Sequence, residues 1–368
     1  MMKIFWLFNH PAPYKVDLFN ELGKQTDFFA VFERDSEGDR NPLFYDREAT
    51  KFKAHFCKSI KLGVLNSYTD EPVKLLKQDQ YDIVVLNGWR MIGERKAIRY
   101  CKKHSVPYVF AINGGIVPKK ENPLIAKIKT KFISGASSYL CPDEKSKVYL
   151  THYGADESKI HLFPYSTVHE GEMLLNPYSE QQKRTLQEKY RINCRRMFIS
   201  VGQLIERKNY GQLIRLWKDM PKEDALLILG DGPLNEQLQN QIKSEGLNNI
   251  YLFGQVDHAK SLEMMRMADA FVLLSKEDIY GHVINEAMSQ GIPVIAPTTM
   301  NAACHLIEDG KNGFLVSLDD EAGIMEALQS DFDESMCQAA LDVARQNTIE
   351  ESAAWHMHFF KQYLEAEK

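Results

Sequence analysis

The stretch Ser275-Lys-Glu-Asp-Ile-Tyr-Gly-His-Val-Ile-Asn-Glu-Ala-Met-Ser-Gln-Gly-Ile-Pro-Val-Ile-Ala296 decides the fold. The apolar run Ala270 to Leu274 leads into it and reads as a buried strand. A short polar loop with Glu277 and Asp278 follows, and Gly281 marks a tight turn into a helix. That helix carries Glu286, eight residues after Asp278 and about two turns in, and ends at Gly291. Pro293-Val-Ile-Ala is the next strand. Strand, loop, helix and strand in this order form the repeating unit of a parallel sheet. Its loop falls at the carboxyl end of a strand, where open α/β sheets bind ligands. The free N–H groups of a helix start suit a phosphate, and carboxylates accept hydrogen bonds from sugar and ribose hydroxyls. A nucleotide-sugar site is the expectation.

The 368 residues are too many for one compact core and suit two domains. An apolar content of 44% and a charged content of 26% are ordinary for a water-soluble chain. No apolar run reaches the length of a spanning helix. The opening MMKIFWLF is too short in its apolar part for a signal peptide and reads as a first buried strand. The six cysteines are scattered, with no C-x-x-C pair, which argues against a zinc site or a disulfide framework and suits a reducing cytoplasm.

The net charge of −5 is unevenly spread. Residues 1–165 hold 26 Lys and Arg against 19 Asp and Glu, and the remainder holds 19 against 31. A basic half points to an anionic partner. No basic-aromatic motif accompanies it, so nucleic acid is not expected. The segment Lys119–Phe132 is expected to be a basic amphipathic helix. Lys119, Lys120, Lys127, Lys129 and Lys131 interleave there with Leu124, Ile125, Ile128 and Phe132. Such a helix either lies on an anionic membrane surface or packs its stripe on its own domain.

Along the chain, strands are read at 3–8, 28–32, 81–87 and 107–112 and helices at 16–22 and 94–104, so strands and helices alternate in the first half. Residues 34–53 are polar and proline-interrupted and read as a long functional or mobile loop. The second half opens on Phe198-Ile-Ser-Val-Gly-Gln-Leu-Ile-Glu-Arg-Lys-Asn209: a strand, a glycine, a basic pair and a helix start, an arrangement that can cradle phosphates. Ala225-Leu-Leu-Ile-Leu-Gly-Asp-Gly-Pro233 and Tyr251-Leu-Phe-Gly-Gln-Val256 repeat the strand-to-glycine pattern. A last helix runs over 349–366 with Trp355, Phe359 and Tyr363 on one face.

The Ser275–Ala296 stretch resembles the E-x7-E signature of the retaining glycosyltransferases of family four, the group 1 glycosyltransferases, usually S-x-x-E-G-F-G-x4-E-A-M-A-x-G-x-P-V-I. The resemblance covers nearly the whole chain and is strongest over 198–316. It implies a GT-B architecture: α/β, two Rossmann-like doubly wound domains facing a central cleft. The implied division is an acceptor-binding domain at 1–170, a nucleotide-sugar domain at 171–348 and a C-terminal helix, 349–368, crossing back to the first domain. The implied donor-binding residues are Gly202, Arg207, Lys208, Gly254, Val256, Asp278, Tyr280, Gly281, His282 and Glu286. Lys208, with Arg207, would hold the diphosphate; Asp278 the sugar; Glu286 the ribose. Lys208, Asp278, Glu286 and Asn113 are the candidate catalytic set, and His10, Tyr14, Asn87, Asn113 and Gly114 the acceptor-side candidates.

Three positions depart from the family pattern. Asp278 stands for Glu, Gln203 for Arg, and Asn113 for a His found in many relatives. The implied reaction moves a sugar from a UDP- or GDP-sugar to a hydroxyl of a lipid-linked or saccharide acceptor, with retention of configuration. No metal or other cofactor is expected, and no D-x-D motif suggests one. The expected place is the cytoplasm, peripheral on the inner face of the membrane. A nucleotide-sugar 2-epimerase and an inactive nucleotide-sugar-binding subunit are the alternatives.

Overall fold

A computed structural model describes residues 1–34, 49–58, 60–62 and 66–366. Most of the loop expected at 34–53 lies outside the described residues. The chain forms two compact units, residues 1–167 with 349–368, and residues 168–348.

In the first unit, strands β1 (Lys3–Phe8), β2 (Asp27–Phe32) and β3 (Lys53–Phe56) precede a small antiparallel pair, β4 (Ile60–Leu62) and β5 (Asn66–Tyr68). Then come β6 (Ile83–Asn87), β7 (Val109–Ala111), β8 (Ser138–Cys141) and β9 (Ile160–Leu162). Helices α1 (Pro13–Gly23), α2 (Glu71–Gln78), α3 (Ile92–His104), α4 (Pro123–Ile133) and α5 (Glu144–His152) alternate with them. The main sheet runs β3-β2-β1-β6-β7-β8-β9, all parallel. Its inner strands β1, β6 and β8 are almost wholly buried, and that is why they read as unbroken apolar runs and not as alternation, whereas the edge strands β3 and β9 are partly exposed.

Helix α4 is shorter than the expected helix from Lys119. The Asn122 carboxamide accepts the Leu124 N–H at 2.9 Å and Pro123 occupies the first turn, so capping chemistry starts the helix there. Lys119, Lys120 and Glu121 precede it.

The second unit contains β10 (Met197–Val201), β11 (Ala225–Leu229), β12 (Ile250–Gly254), β13 (Ala270–Val272), β14 (Val294–Pro297) and β15 (Gly313–Val316). The helices are α6 (Glu180–Lys189), α7 (Tyr210–Leu216), α8 (Asn235–Ser244), α9 (His258–Met265), α10 (Val283–Ser289), α11 (Asn301–Leu306), α12 (Glu321–Gln329) and α13 (Glu334–Arg345). Its parallel sheet has the order β12-β11-β10-β13-β14-β15, with neighbours reversing at β10 and β13. Both sheets are of the doubly wound kind.

The last helix, α14 (Ile349–Ala366), belongs to the first unit and packs on α1. His356 and Phe360 place their rings 5.6 and 6.2 Å from Trp6 of β1, and Trp355 stacks on Phe359 at 5.5 Å. Each large side chain buried there contributes about 1.5–3 kcal/mol. Enclosed in the same layer is Lys15 of α1, whose Nζ lies 5.3–5.6 Å from the rings of Trp6, Phe8, Phe163 and Tyr165.

Candidate functional site

The second unit gathers its glycine loops at the carboxyl ends of β10, β11 and β12. Gly230 N–H donates to the Gly254 carbonyl at 2.8 Å, Gly202 N–H to Leu229 at 3.0 Å and Leu204 N–H to Asp231 at 3.0 Å. Gly230 has φ +143°, and a Cβ there would fall 2.0 Å from the Gly202 carbonyl oxygen, so only glycine fits this crossing. The loops enclose a cavity of about 300 Å³ whose wall includes Gly202, Gln203, Gly230, Asp231, Gln255, Val256, Asp257, His258, Ser261 and Glu286.

Glu286 sits in the first turn of α10, not two turns in, because that helix begins at Val283. Gly281, at φ +101°, makes the turn before it. Tyr280, buried, and His282 flank this glycine with rings 5.0 Å apart, outside the cavity wall. Gly254 supplies its carbonyl to Gly230 and is also outside the wall.

Beside the cavity lies a charge cluster. Lys208 Nζ is 2.6 Å from Asp278 Oδ2, and Arg207 Nη1 is 3.5 Å from the same oxygen. Arg207 also donates to the Glu277 carbonyl at 3.3 Å, and Lys276 N–H returns a bond to the Arg207 carbonyl at 2.8 Å. The two loops are thereby stitched together. A Cβ on Gly202 would lie 3.5 Å from Lys208 Cε, which places the lysine stem against the cavity's glycine. Burial alone would raise the Asp278 carboxyl. The charge and hydrogen bond of Lys208, aided by Arg207, outweigh it and hold the group below its ordinary value. The cluster therefore carries two cations against one carboxylate and retains an excess of positive charge for an anion. Gln203 leaves the cavity wall without the arginine of the family pattern, and Arg207 is turned to Asp278.

The first unit has its own cavity, about 180 Å³, at the carboxyl ends of β1, β6 and β7. The acceptor-side candidates Asn87, Asn113 and Gly114 line it together. Asn9, Arg34, Trp89, Arg90, Glu94 and Tyr149 join them without having been singled out in the sequence. Tyr14 Oη lies 3.5 Å from Asn113 Nδ2 and so supports the wall from behind. His10 is buried against Phe8, with ring centroids 5.9 Å apart, and is not part of the wall. Among the described residues, one group could hold a metal: His55, Cys57 and Glu71, with ligand atoms within 4.8 Å of one another. His55 Nε2 is already 2.6 Å from Glu71, and none of the three lines either cavity.

The overlooked wall residues share a signal that a linear reading does not weigh. Both cavities lie at strand carboxyl ends near the point where strand order reverses. Asp231, Gln255 and Asp257 follow β11 and β12, and Trp89 and Arg90 follow β6.

Residues 182–341 match the family described as glycosyl transferases group 1. The lipopolysaccharide core biosynthesis glycosyltransferase LpsE of Rhizobium meliloti is 30% identical over 132 residues, 36% of this chain and 38% of that protein. The N-acetyl-alpha-D-glucosaminyl L-malate synthase of Bacillus anthracis is 27% identical over 179 residues, 47% of this chain and 46% of that one. The chain thus spans less than half the length of these curated relatives. Among solved structures, Anabaena HepE with UDP and glucose aligns over 97% of this chain and all of its own, at 18% identity and a TM-score of 0.69. Sucrose-phosphate synthase of Thermosynechococcus elongatus aligns over 100% of both chains, at 14% identity and a TM-score of 0.74. Two parallel α/β units with these neighbours are the GT-B fold, and the segment 182–341 matches the group 1 glycosyl transferases.

Proposed function

We propose that this chain is a glycosyltransferase that moves a sugar from a UDP- or GDP-sugar to a hydroxyl of a lipid-linked or saccharide acceptor in surface polysaccharide or glycan synthesis. The observation that carries this reading is the second unit's glycine-walled cavity, with Glu286 in its wall and Lys208 and Asp278 against its glycine loop. Glu286 suits the ribose hydroxyls and the cations suit the diphosphate. During transfer, negative charge grows on the departing phosphate oxygens, and fixed cations stabilise it. Two cations at that place support a metal-independent reaction, and the family resemblance supports retention of configuration. The relatives include a protein of lipopolysaccharide core biosynthesis and a Campylobacter jejuni enzyme whose name specifies a diphospho-undecaprenol carrier, which supports a lipid-linked acceptor.

The test is incubation with UDP- and GDP-sugars, followed by nucleotide release and product mapping. Release or transfer that disappears in Lys208→Ala and in Glu286→Ala supports the reading. Nucleotide binding without turnover on any acceptor extract makes the chain a binding subunit, and formation of the 2-epimer of the donor makes it an epimerase.

A membrane contact through α4 is the second part of the proposal. Leu124 is 72% exposed, and Ile125 and Ile128 are also exposed, so this part of the apolar stripe is not packed on the unit. Lys119, Lys120, Lys127 and Lys131 are exposed near it. Lys129 is turned inward to Glu121 at 2.7 Å and Tyr153 at 2.7 Å, and so is not part of the basic face. An apolar stripe flanked by lysines suits an anionic lipid surface. No described helix is long and apolar enough to cross a membrane. Sedimentation with anionic vesicles at low salt tests the contact. Equal sedimentation of the Lys127→Glu, Lys131→Glu double variant would refute it.

A further inference from the structure

His55 and Cys57 stand two residues apart at the end of β3, so the pleat turns both side chains to one face. The sheet fixes their backbone: His55 lies in register with Val31 of β2, and the Cys57 N–H donates to the Phe32 carbonyl at 2.8 Å. Glu71, the first residue of α2, reaches the same point from a helix. Its Oε2 lies 2.6 Å from His55 Nε2, and the ligand atoms of His55, Cys57 and Glu71 all fall within 4.8 Å of one another. Glu71 Oε1 accepts the Lys58 N–H at 3.2 Å, which holds the carboxylate in place. Thr69, buried, hydrogen-bonds the Cys57 sulfur and accepts the Glu71 N–H at 3.2 Å. A hydrogen bond between imidazole and carboxylate explains two of these side chains. It does not explain a thiol brought to the same point by a hydroxyl that also fixes Glu71.

An imidazole nitrogen, a thiolate and a carboxylate together suit zinc or cobalt, not magnesium or calcium, which take oxygen ligands. With bonds of about 2.0–2.3 Å, ligand atoms around a tetrahedral zinc lie roughly 3.3–3.6 Å apart. The ion therefore enters when the His55–Glu71 contact opens from 2.6 Å by about 0.7 Å, within reach of a side-chain rotation. The imidazole then carries its proton on Nδ1, and the thiol proton leaves to solvent. The Thr69 hydroxyl donates to the thiolate and the Lys58 N–H to the bound carboxylate, the kind of outer hydrogen bond that orients metal ligands. His55 and Glu71 are half-buried, so an ion has a path from solvent and water completes the fourth position. Burial and the charges of Glu71 and Glu33 push the Cys57 thiol up to about 12, which disfavours a reactive redox thiol as the alternative. No C-x-x-C pair announces the site, because the acid joins the His-x-Cys pair only through the fold.

We propose that His55, Cys57 and Glu71 form a structural zinc site that fastens the edge strand β3 to α2. None of the three lines either cavity, so the ion takes no part in sugar transfer, and the proposal stands apart from the transferase reading. The full chain, stripped with a chelator, is titrated with Co²⁺ and then with Zn²⁺. One Co²⁺ per chain is expected, with a thiolate-to-cobalt charge-transfer band that Zn²⁺ abolishes by displacement. Cys57→Ser should remove the band, and Cys304→Ser, at an exposed cysteine of α11, should leave it intact. His55→Gln and Glu71→Gln should each weaken Zn²⁺ binding by at least about tenfold. Zinc should raise the melting temperature of the parent and leave that of Cys57→Ser unchanged. Circular dichroism of the metal-free variants checks that they are folded, and the half-buried His55 gives a variant that tests the site should Cys57→Ser unfold. The proposal is overturned if the parent shows no charge-transfer band, if the band survives in Cys57→Ser, or if the His55 and Glu71 variants bind Zn²⁺ like the parent.

Discussion

Replacing Asp278 by Asn separates two roles for this acid. In the structure it is not a free sugar ligand: its Oδ2 lies 2.6 Å from Lys208 Nζ and 3.5 Å from Arg207 Nη1. At an effective dielectric of about 20, a charge pair at 2.6 Å is worth at most ~6 kcal/mol, and solvent reduces it. A diphosphate arriving at Lys208 must share the lysine with that carboxylate. Asn keeps the shape and removes the competing charge. If a quarter of the Coulomb limit is released, about 1.4 kcal/mol, nucleotide affinity rises tenfold. We therefore predict that Asp278→Asn binds the cognate nucleoside diphosphate at least tenfold more tightly, by calorimetry at low salt, with the gain shrinking as salt rises. Turnover of the nucleotide-sugar should fall in the same variant, because the acid no longer orders the sugar or balances the cations as the leaving group departs. Weaker nucleotide binding in Asp278→Asn would refute the reasoning and show that the carboxylate positions Lys208 rather than competes for it.

Two further outcomes follow from buried features. Desolvation pushes the Lys15 amine down to about 7 from an ordinary 10.5. Between those values the unfolded chain binds the proton and the folded chain does not, so this group makes stability rise with pH across about 7 to 10.5 and leaves the full penalty below 7. A shift of about 3.5 units corresponds to ~4–5 kcal/mol, partly offset by the four rings around the amine. Lys15→Met should therefore stabilise the protein at pH 6 by roughly 2–4 kcal/mol in denaturant titrations and flatten the rise with pH; destabilisation at pH 6 would mean that the rings favour the charged amine. Gly230→Ala places a Cβ 2.0 Å from a backbone oxygen that cannot move aside, so it should cost more than about 2 kcal/mol or abolish nucleotide binding, and unchanged melting and binding would contradict the crossing geometry.

The sequence by itself determined the fold class and the loops that carry the donor-side candidates Gly202, Val256 and Glu286 to one cavity. Buried parallel strands are continuous apolar runs, the glycines at 202, 230 and 254 punctuate strand ends, and Gly281 marks the turn before α10, so all are written locally. The span of α14 was equally legible, because one helix face repeats locally. The start of α4 was not, because an Asn and a Pro outweighed the amphipathic pattern. Only tertiary structure decided which charges meet. Lys208 and Asp278 are 70 residues apart, and their pairing depends on β10 lying beside β13. The cavity of the first unit likewise assembles from Asn9, Arg34, Asn87, Glu94 and Asn113, which become neighbours because the strand order reverses beside β1. The inward turn of Lys129 belongs to the same class, since its partner Tyr153 comes from the end of the following helix. Local chemistry sets strands, turns and caps, whereas the partners of a buried charge are set by sheet order, which no single stretch of the chain encodes.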